Sequence, residues 1–297
     1  MFQFILDVLI RSADITLVAV GLSAVYALVK FPNVAHVQYA TLGAFLTLAG
    51  QKLGLPFTVA MLVSCLITGI FAVVLNSLIF TRLLRAGPAI AMIGSLAVSM
   101  VIVACILGFA GSRPLRYAFD ITPPVIIGGA RVAHAQLYSI AAGLTVLIGF
   151  ALVLYRTSVG RSMRALSANR SLAAATGIDA ATITNLIAFT SGAFASVGGT
   201  MLAMTGDVHV NLGTDLLLPV FAAAIIGGLG NPLGAAAGAF LIAIAETAVT
   251  NINFGWAVGQ PLAFLPVTYI GAASFLFLLV ALLFRPYGLF DREVRRV

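Results

Sequence analysis

Glu246 stands inside an apolar run, Ala235 to Val249. A carboxylate at such a place is costly to bury and is a functional candidate for that reason. It could line a pathway, gate it or carry a proton; it could equally sit protonated and hydrogen-bonded to a neighbouring helix. Asn33 and His36 flank a second place of interest, where Pro32 interrupts an apolar stretch. Their side chains could satisfy backbone groups freed by the break, or face a pore. The third cluster is basic: Arg156, Arg161, Arg164 and Arg170 fall within Tyr155 to Ala180. It reads as a helix from Arg161 to Ala175, stopped by Gly177, and either connects two spans or docks another protein.

Enzymatic chemistry finds no footing. The chain has no HExxH, no Gly-x-Ser-x-Gly and no GxxxxGK[ST]. No catalytic residue, metal site or cofactor of its own is therefore expected, and any use of ATP needs a partner. Cys65 and Cys105 both lie in apolar runs and read as buried thiols. His134 and His209 fall in connecting segments.

Elements must position these residues, and the composition says which kind. Of 297 residues 61% are hydrophobic and only 8% charged, where a soluble domain carries about 25% charged residues. The expected fold is all-α, a polytopic helical membrane protein forming a single domain over 1–297. The net charge of +7 then marks sidedness in a bilayer, not nucleic-acid binding.

Spans need about 20 apolar residues, fewer where protein shields them. Residues 1–14 carry Asp7, Arg11 and Asp14 and read as an interfacial amphipathic helix. Spans follow from Ile15 to Val29, Phe57 to Phe80, Ala89 to Gly111, Leu137 to Leu154, Thr182 to Met204 and Phe264 to Phe284. Two helices are interrupted, the first around Asn33–His36, the second at GGLGNPLG, Gly227 to Gly234. The chain around the first break is expected at membrane depth, inside protein. The total is about eight to nine crossings. Residues 112–136 form an irregular external loop with a short hairpin at Gly128-Gly129, and 285–297 form a basic tail. Strict alternation puts Lys30, Arg82, Arg85, the four arginines of 156–170, Arg285, Arg292, Arg295 and Arg296 inside. Arg11, Lys52, Arg113, Arg116 and Arg131 then lie outside. Eleven basic residues against five satisfy the positive-inside rule, with the N-terminus outside and the C-terminus in the cytoplasm. GAFL recurs after each break, at Gly43–Leu46 and Gly238–Leu241. Paired broken helices point to a transport pathway lined by Asn33, His36, Gly227, Gly228, Asn231 and Glu246.

Four stretches together resemble the permeases of branched-chain amino acid ABC importers. In YALVKFPNVAHVQYATLGAF the matching positions are Tyr26, Asn33, Ala35, His36, Gly43, Ala44 and Phe45. Val37 and Gln38 depart from that pattern. GRSMRALSANRSLAAATGID matches at Gly160, Arg161, Met163, Arg164, Ala165, Asn169, Ala173 and Gly177. The Gly-rich segment ending at Glu246 and the closing RPYGLF complete the resemblance.

The resemblance implies an inner-membrane subunit working by alternating access. It implies a second related permease, two cytoplasmic ATPases that hold ATP and Mg, and a periplasmic solute-binding protein. The helix within 156–180 would be the coupling helix that contacts an ATPase through Gly160, Arg161, Arg164, Ala165, Asn169, Ala173 and Gly177. Arg113, Arg116 and Arg131 would face the binding protein. Leucine, isoleucine, valine, other amino acids, urea and short amides all stay open as cargo. An ion-coupled secondary transporter using Glu246 stays open as a rival.

Overall fold

Apolar runs without water to bond their backbone must close their own hydrogen bonds, and here they do so as helices. The computed structural model describes residues 2–119, 123–127, 129–253, 264, 269–284 and 288–289. Among them six helices are long and apolar enough to cross a membrane, and two shorter apolar helices accompany them. The order begins with α1 (Phe2–Val29), α2 (Gln38–Lys52), α3 (Phe57–Leu75), α4 (Thr81–Ala86) and α5 (Pro88–Ala110). A short hairpin of β1 (Val125–Ile127) and β2 (Ala130–Val132) follows, as the Gly pair predicts. Then come α6 (His134–Arg156), α7 (Ser158–Ala168), α8 (Arg170–Ala175), α9 (Ala180–Thr205), α10 (Leu212–Gly227), α11 (Pro232–Asn251) and α12 (Ile270–Phe284). A π-turn, Asn76–Phe80, joins α3 to α4 without a break. The tail beyond Phe284 lies outside the described residues except for Gly288 and Leu289.

The N-terminal segment differs from its sequence reading. No interfacial helix separates from a span at residue 14; α1 is one helix, and Val8, Ile10 and Asp14 in its first half are buried. The charges at 7, 11 and 14 recur at i, i+4 and i+7 and share one face; Arg11 and Asp14 turn towards protein, while Asp7 accepts from Gln3 at the exposed start of the helix.

α9 is the centre of the bundle. Gly21 of α1 faces Ser191, and Val18 faces Gly198, so α1 runs antiparallel to α9. Gly43 packs on Ser196, and Thr47 bonds Thr200 at 3.1 Å, so α2 runs parallel to it. The first break therefore sits beside the middle of α9, enclosed by protein. Phe31, Asn33, Ala35 and His36 are all at most 4% exposed, which leaves no water for their backbone. Partners replace it. Val34 N–H donates to Ser95 Oγ at 3.0 Å, and Ala35 N–H donates to Asn33 Oδ1 at 3.1 Å. Lys30 ends α1 in the left-handed region, with its N–H on the Tyr26 carbonyl.

The second break is a tight turn between two helices. α10 and α11 lie antiparallel with Gly227 against Gly234 and Gly238 against the Ala223 carbonyl, a separation that a Cβ would overlap. Gly228 and Gly230 turn the chain at φ of 93° and 92°. Asn231 caps α11 by accepting from Gly234 N–H at 3.1 Å.

These contacts sort the connections onto two ends. Gly230 approaches Ala27, and Leu289 N–H donates to the Ile226 carbonyl at 2.8 Å, so the end of α1, the second turn and the tail share one end. α8 leads into α9 at that same end. At the other, Leu115 bridges Val208, and Gln51 reaches the Ala118 carbonyl at 3.5 Å.

Candidate functional site

A large cavity opens away from both breaks. It is an apolar groove of about 880 Å³ between α2, α3 and α5. Phe45 and Leu48 come from α2, Phe71 and Leu75 from α3, and Val98 and Ile102 from α5. It reaches from Ile79 in the π-turn to Phe109 and Lys52 at the far ends of α5 and α2, where Leu115 of the loop also lines it. Residues 97–110 of α5 alone cover about 20 Å at 1.5 Å per residue, most of a hydrocarbon core. Sequence reasoning missed this groove, because apolar residues facing a groove and apolar residues facing lipid have the same composition.

The six residues expected to line a pathway fall outside it. His36 is held by two hydrogen bonds, Nε2 to the Val18 carbonyl at 3.0 Å and Nδ1 to Ser191 Oγ at 3.1 Å. Gly21 makes room for the ring, which a Cβ there would meet at 3.2 Å. Asn33 and His36 border a cavity of only about 10 Å³ with Tyr39, Asn76 and Ser191. That is space for about one water molecule. Gly227, Gly228 and Asn231 form the α10–α11 turn. Glu246 is 1% exposed; its Oε2 accepts from Arg11 Nε at 2.5 Å, and its Oε1 accepts from Ser274 Oγ. It thus ties α1, α11 and α12 together. Asp14, one turn from Arg11, is also buried, and its Oδ1 has no hydrogen-bond partner among the described residues.

The basic segment is two helices, not one. Asn169 leaves helical geometry at φ −154° and caps α8 by accepting from Leu172 N–H at 3.0 Å. An Asn that bonds its own downstream backbone favours a cap over a helix interior, which is why the run divides there. α7 is strongly amphipathic: Met163 and Leu166 are buried, and Arg161 is exposed. Gly160 lies against the Leu154 carbonyl, leaving no room for a Cβ. Arg164 turns back to donate to that carbonyl and stacks over Tyr155 at 5.4 Å. Ala165 packs against the core, and Ala173 is buried beneath α8. Gly177 closes α8 as expected, at φ 84°, with its N–H on Ala174 O and Ile178 N–H on Ala173 O. Arg170, Ser171 and Leu172 are left exposed on this otherwise polar corner.

At the opposite end Arg113 and Arg131 are exposed and no ion pair forms to either among the described residues. Arg116 is engaged: its Nε meets Asp207 Oδ1 at 2.5 Å beside the Leu115–Val208 bridge. The Tyr117 hydroxyl donates to the Ala44 carbonyl at 3.0 Å, which anchors the loop over α2. The Arg116 guanidinium holds the Asp207 carboxyl below its ordinary range, first through the hydrogen bond. A depressed carboxylate stabilises its contact above the ordinary value, about 3.9, and loses it as pH falls through the lowered one. The bridge should therefore be insensitive to pH between 5 and 8. Amide protection factors at Leu115 and Val208 should stay flat over that window and fall severalfold in Asp207→Asn; a fall with pH in the parent protein would contradict the pairing.

Residues 4–284 match the family described as the branched-chain amino acid transport system permease component. The chain is 28% identical to the probable branched-chain amino acid transport permease protein LivH of Methanocaldococcus jannaschii, over 95% of this chain and 90% of that one. It is 23% identical to the high-affinity branched-chain amino acid transport system permease protein BraD of Pseudomonas aeruginosa, over 95% and 93%. It is 24% identical to LivH of Escherichia coli, over 95% and 92%. Among solved structures it resembles PsaBC from Streptococcus pneumoniae in complex with Fab, with a TM-score of 0.53 at 13% identity, covering 95% and 92%. That likeness concerns the fold alone.

Proposed function

We propose, for a chain that belongs to the family of branched-chain amino acid transport system permease components, the role of a membrane subunit of an ABC importer that carries branched-chain amino acids inward by alternating access. The substrate is taken from the names of the relatives at 23–28% identity. The observation that carries the path is the groove between α2, α3 and α5. Its apolar walls suit an aliphatic side chain, and its open side calls for a second, related permease to close it.

The chain lies in the inner membrane with its N-terminus outside and its C-terminus in the cytoplasm, as the charge asymmetry favours. Two cytoplasmic ATPases hold ATP and Mg and meet α7 and α8. There Arg161 offers charge, while Gly160, Arg164, Ala165, Asn169, Ala173 and Gly177 shape the two-helix corner. A periplasmic solute-binding protein meets Arg113, Arg116 and Arg131. Asn33 and His36 hold the broken wall beside the path, Gly227, Gly228 and Asn231 form a second hinge, and Glu246 locks the bundle behind it.

Cys105 lines the groove and Cys65 does not, which supplies the test. In the assembled transporter a maleimide should abolish leucine uptake, and Cys105→Ser should protect it while Cys65→Ser does not. Full inhibition persisting in Cys105→Ser would remove the groove from the path.

A further inference from the structure

The groove is almost without polar groups, and the exception is placed at its mouth. Of its lining residues Lys52 alone is charged. It closes the last turn of α2, is exposed, and has no ion-pair partner among the described residues. The mouth is also built, not frayed. Gly50 packs against Ala60, Gln51 bonds Ala118, and Leu115, beside Lys52 in the lining, is fixed by two backbone hydrogen bonds to Val208, at 2.9 and 2.7 Å. A cation at the C-terminal end of a helix is favourable on its own account. That explains why a lysine is tolerated at the end of α2, but not why an unpaired one lines this apolar groove.

We infer that Lys52 is a selectivity residue of the permease: its ammonium takes the carboxylate of the solute at the groove mouth while an aliphatic side chain enters the apolar wall. This rests on the groove being the path. It separates amino acids from urea and short amides, which present no anion to Lys52 and no apolar surface to the wall. No carboxylate lines the groove, so the solute's own ammonium is not read there.

The experiment uses the complete transporter in proteoliposomes, with leucine-loaded binding protein, comparing the parent with Lys52→Gln and Lys52→Arg. Failure of the parent to carry leucine would overturn the proposed function itself. Where the parent carries it, Lys52→Gln should lower leucine uptake about tenfold, as expected for loss of one charge-assisted contact. ATPase stimulation by the loaded binding protein should stay within about twofold, which shows that the complex is folded and docked. Lys52→Arg should retain most uptake. Unchanged uptake in Lys52→Gln, or equal losses in both variants, would overturn the assignment. So would recovery of Lys52→Gln on changing the anionic lipid content, since Lys52 would then be a headgroup anchor.

Discussion

Leu172→Glu should cost the permease its ATPases. Leu172 is 64% exposed on a six-residue helix, directly after Arg170 and Ser171. An exposed leucine on a lipid-facing helix needs no explanation, but α8 belongs to the polar corner of the molecule. There a rigidly held, exposed leucine next to Arg170 and Ser171 has the form of an interface anchor. The rigidity is visible: Asn169 caps one end of α8, the Gly177–Ile178 motif closes the other, and Ala173 is buried beneath. A glutamate would place an unpaired charge in whatever pocket receives the leucine, so co-purification of ATPase with the tagged permease should fall by about tenfold to a hundredfold. Uptake should fall with it. Thermal stability of the isolated permease should be unchanged, because the side chain touches solvent and not the core. Arg161→Glu, on an exposed turn of α7, should cost less and act mainly through salt dependence. Wild-type recovery of ATPase with Leu172→Glu would place the contact elsewhere on the chain.

What could be read in advance, and what could not, divides by range. The runs from Pro88 to Ala110 and from Ala180 to Thr205 are legible because apolar length alone specifies them. The break at Asn33 to His36 is legible from Pro32, and its enclosure by protein from the shortness of α2. Its stabilisation is not: Ser95, Val18 and Ser191 come from three other helices, and nothing local announces them. The division of the basic segment had a signal, Asn169, whose preference for caps competes with the helix-forming residues around it. The partner of Glu246 also had one. Asp7, Arg11 and Asp14 share a helical face, and a lone carboxylate deep in an apolar run calls for a cation. Reading residues 1–14 as interfacial sent Arg11 to water instead. The groove had no signal at all, since it arises from the relative placement of α2, α3 and α5.

The Arg11–Glu246 pair also separates two mechanisms, and its disruption should have the largest effect on folding. A proton-coupling carboxylate must be free to change its charge during each cycle. Glu246 instead holds a guanidinium at 2.5 Å and a serine hydroxyl, across three helices. Removing one partner of a buried pair strands the other, at a cost of about 3–5 kcal/mol, with Arg11 recovering part of that because its side chain is 24% exposed. Arg11→Met and Glu246→Leu should therefore each depress the melting temperature of the detergent-solubilised protein sharply. The double variant replaces both charges by apolar groups in an apolar surrounding and should recover most of the loss, because the desolvation cost of the pair is removed along with its attraction. Uptake should recover with stability in that double variant. A proton site predicts the opposite pattern: stability restored and transport still absent, because the carboxylate of α11 that would carry the proton is gone. Asp14 sits one turn beyond Arg11, so Arg11→Met also leaves a second buried carboxylate without its nearest cation. Adding Asp14→Asn to the double variant should then stabilise it further. If it does not, Asp14 is already neutral in the parent protein, and Glu246 alone sets the charge that Arg11 must meet.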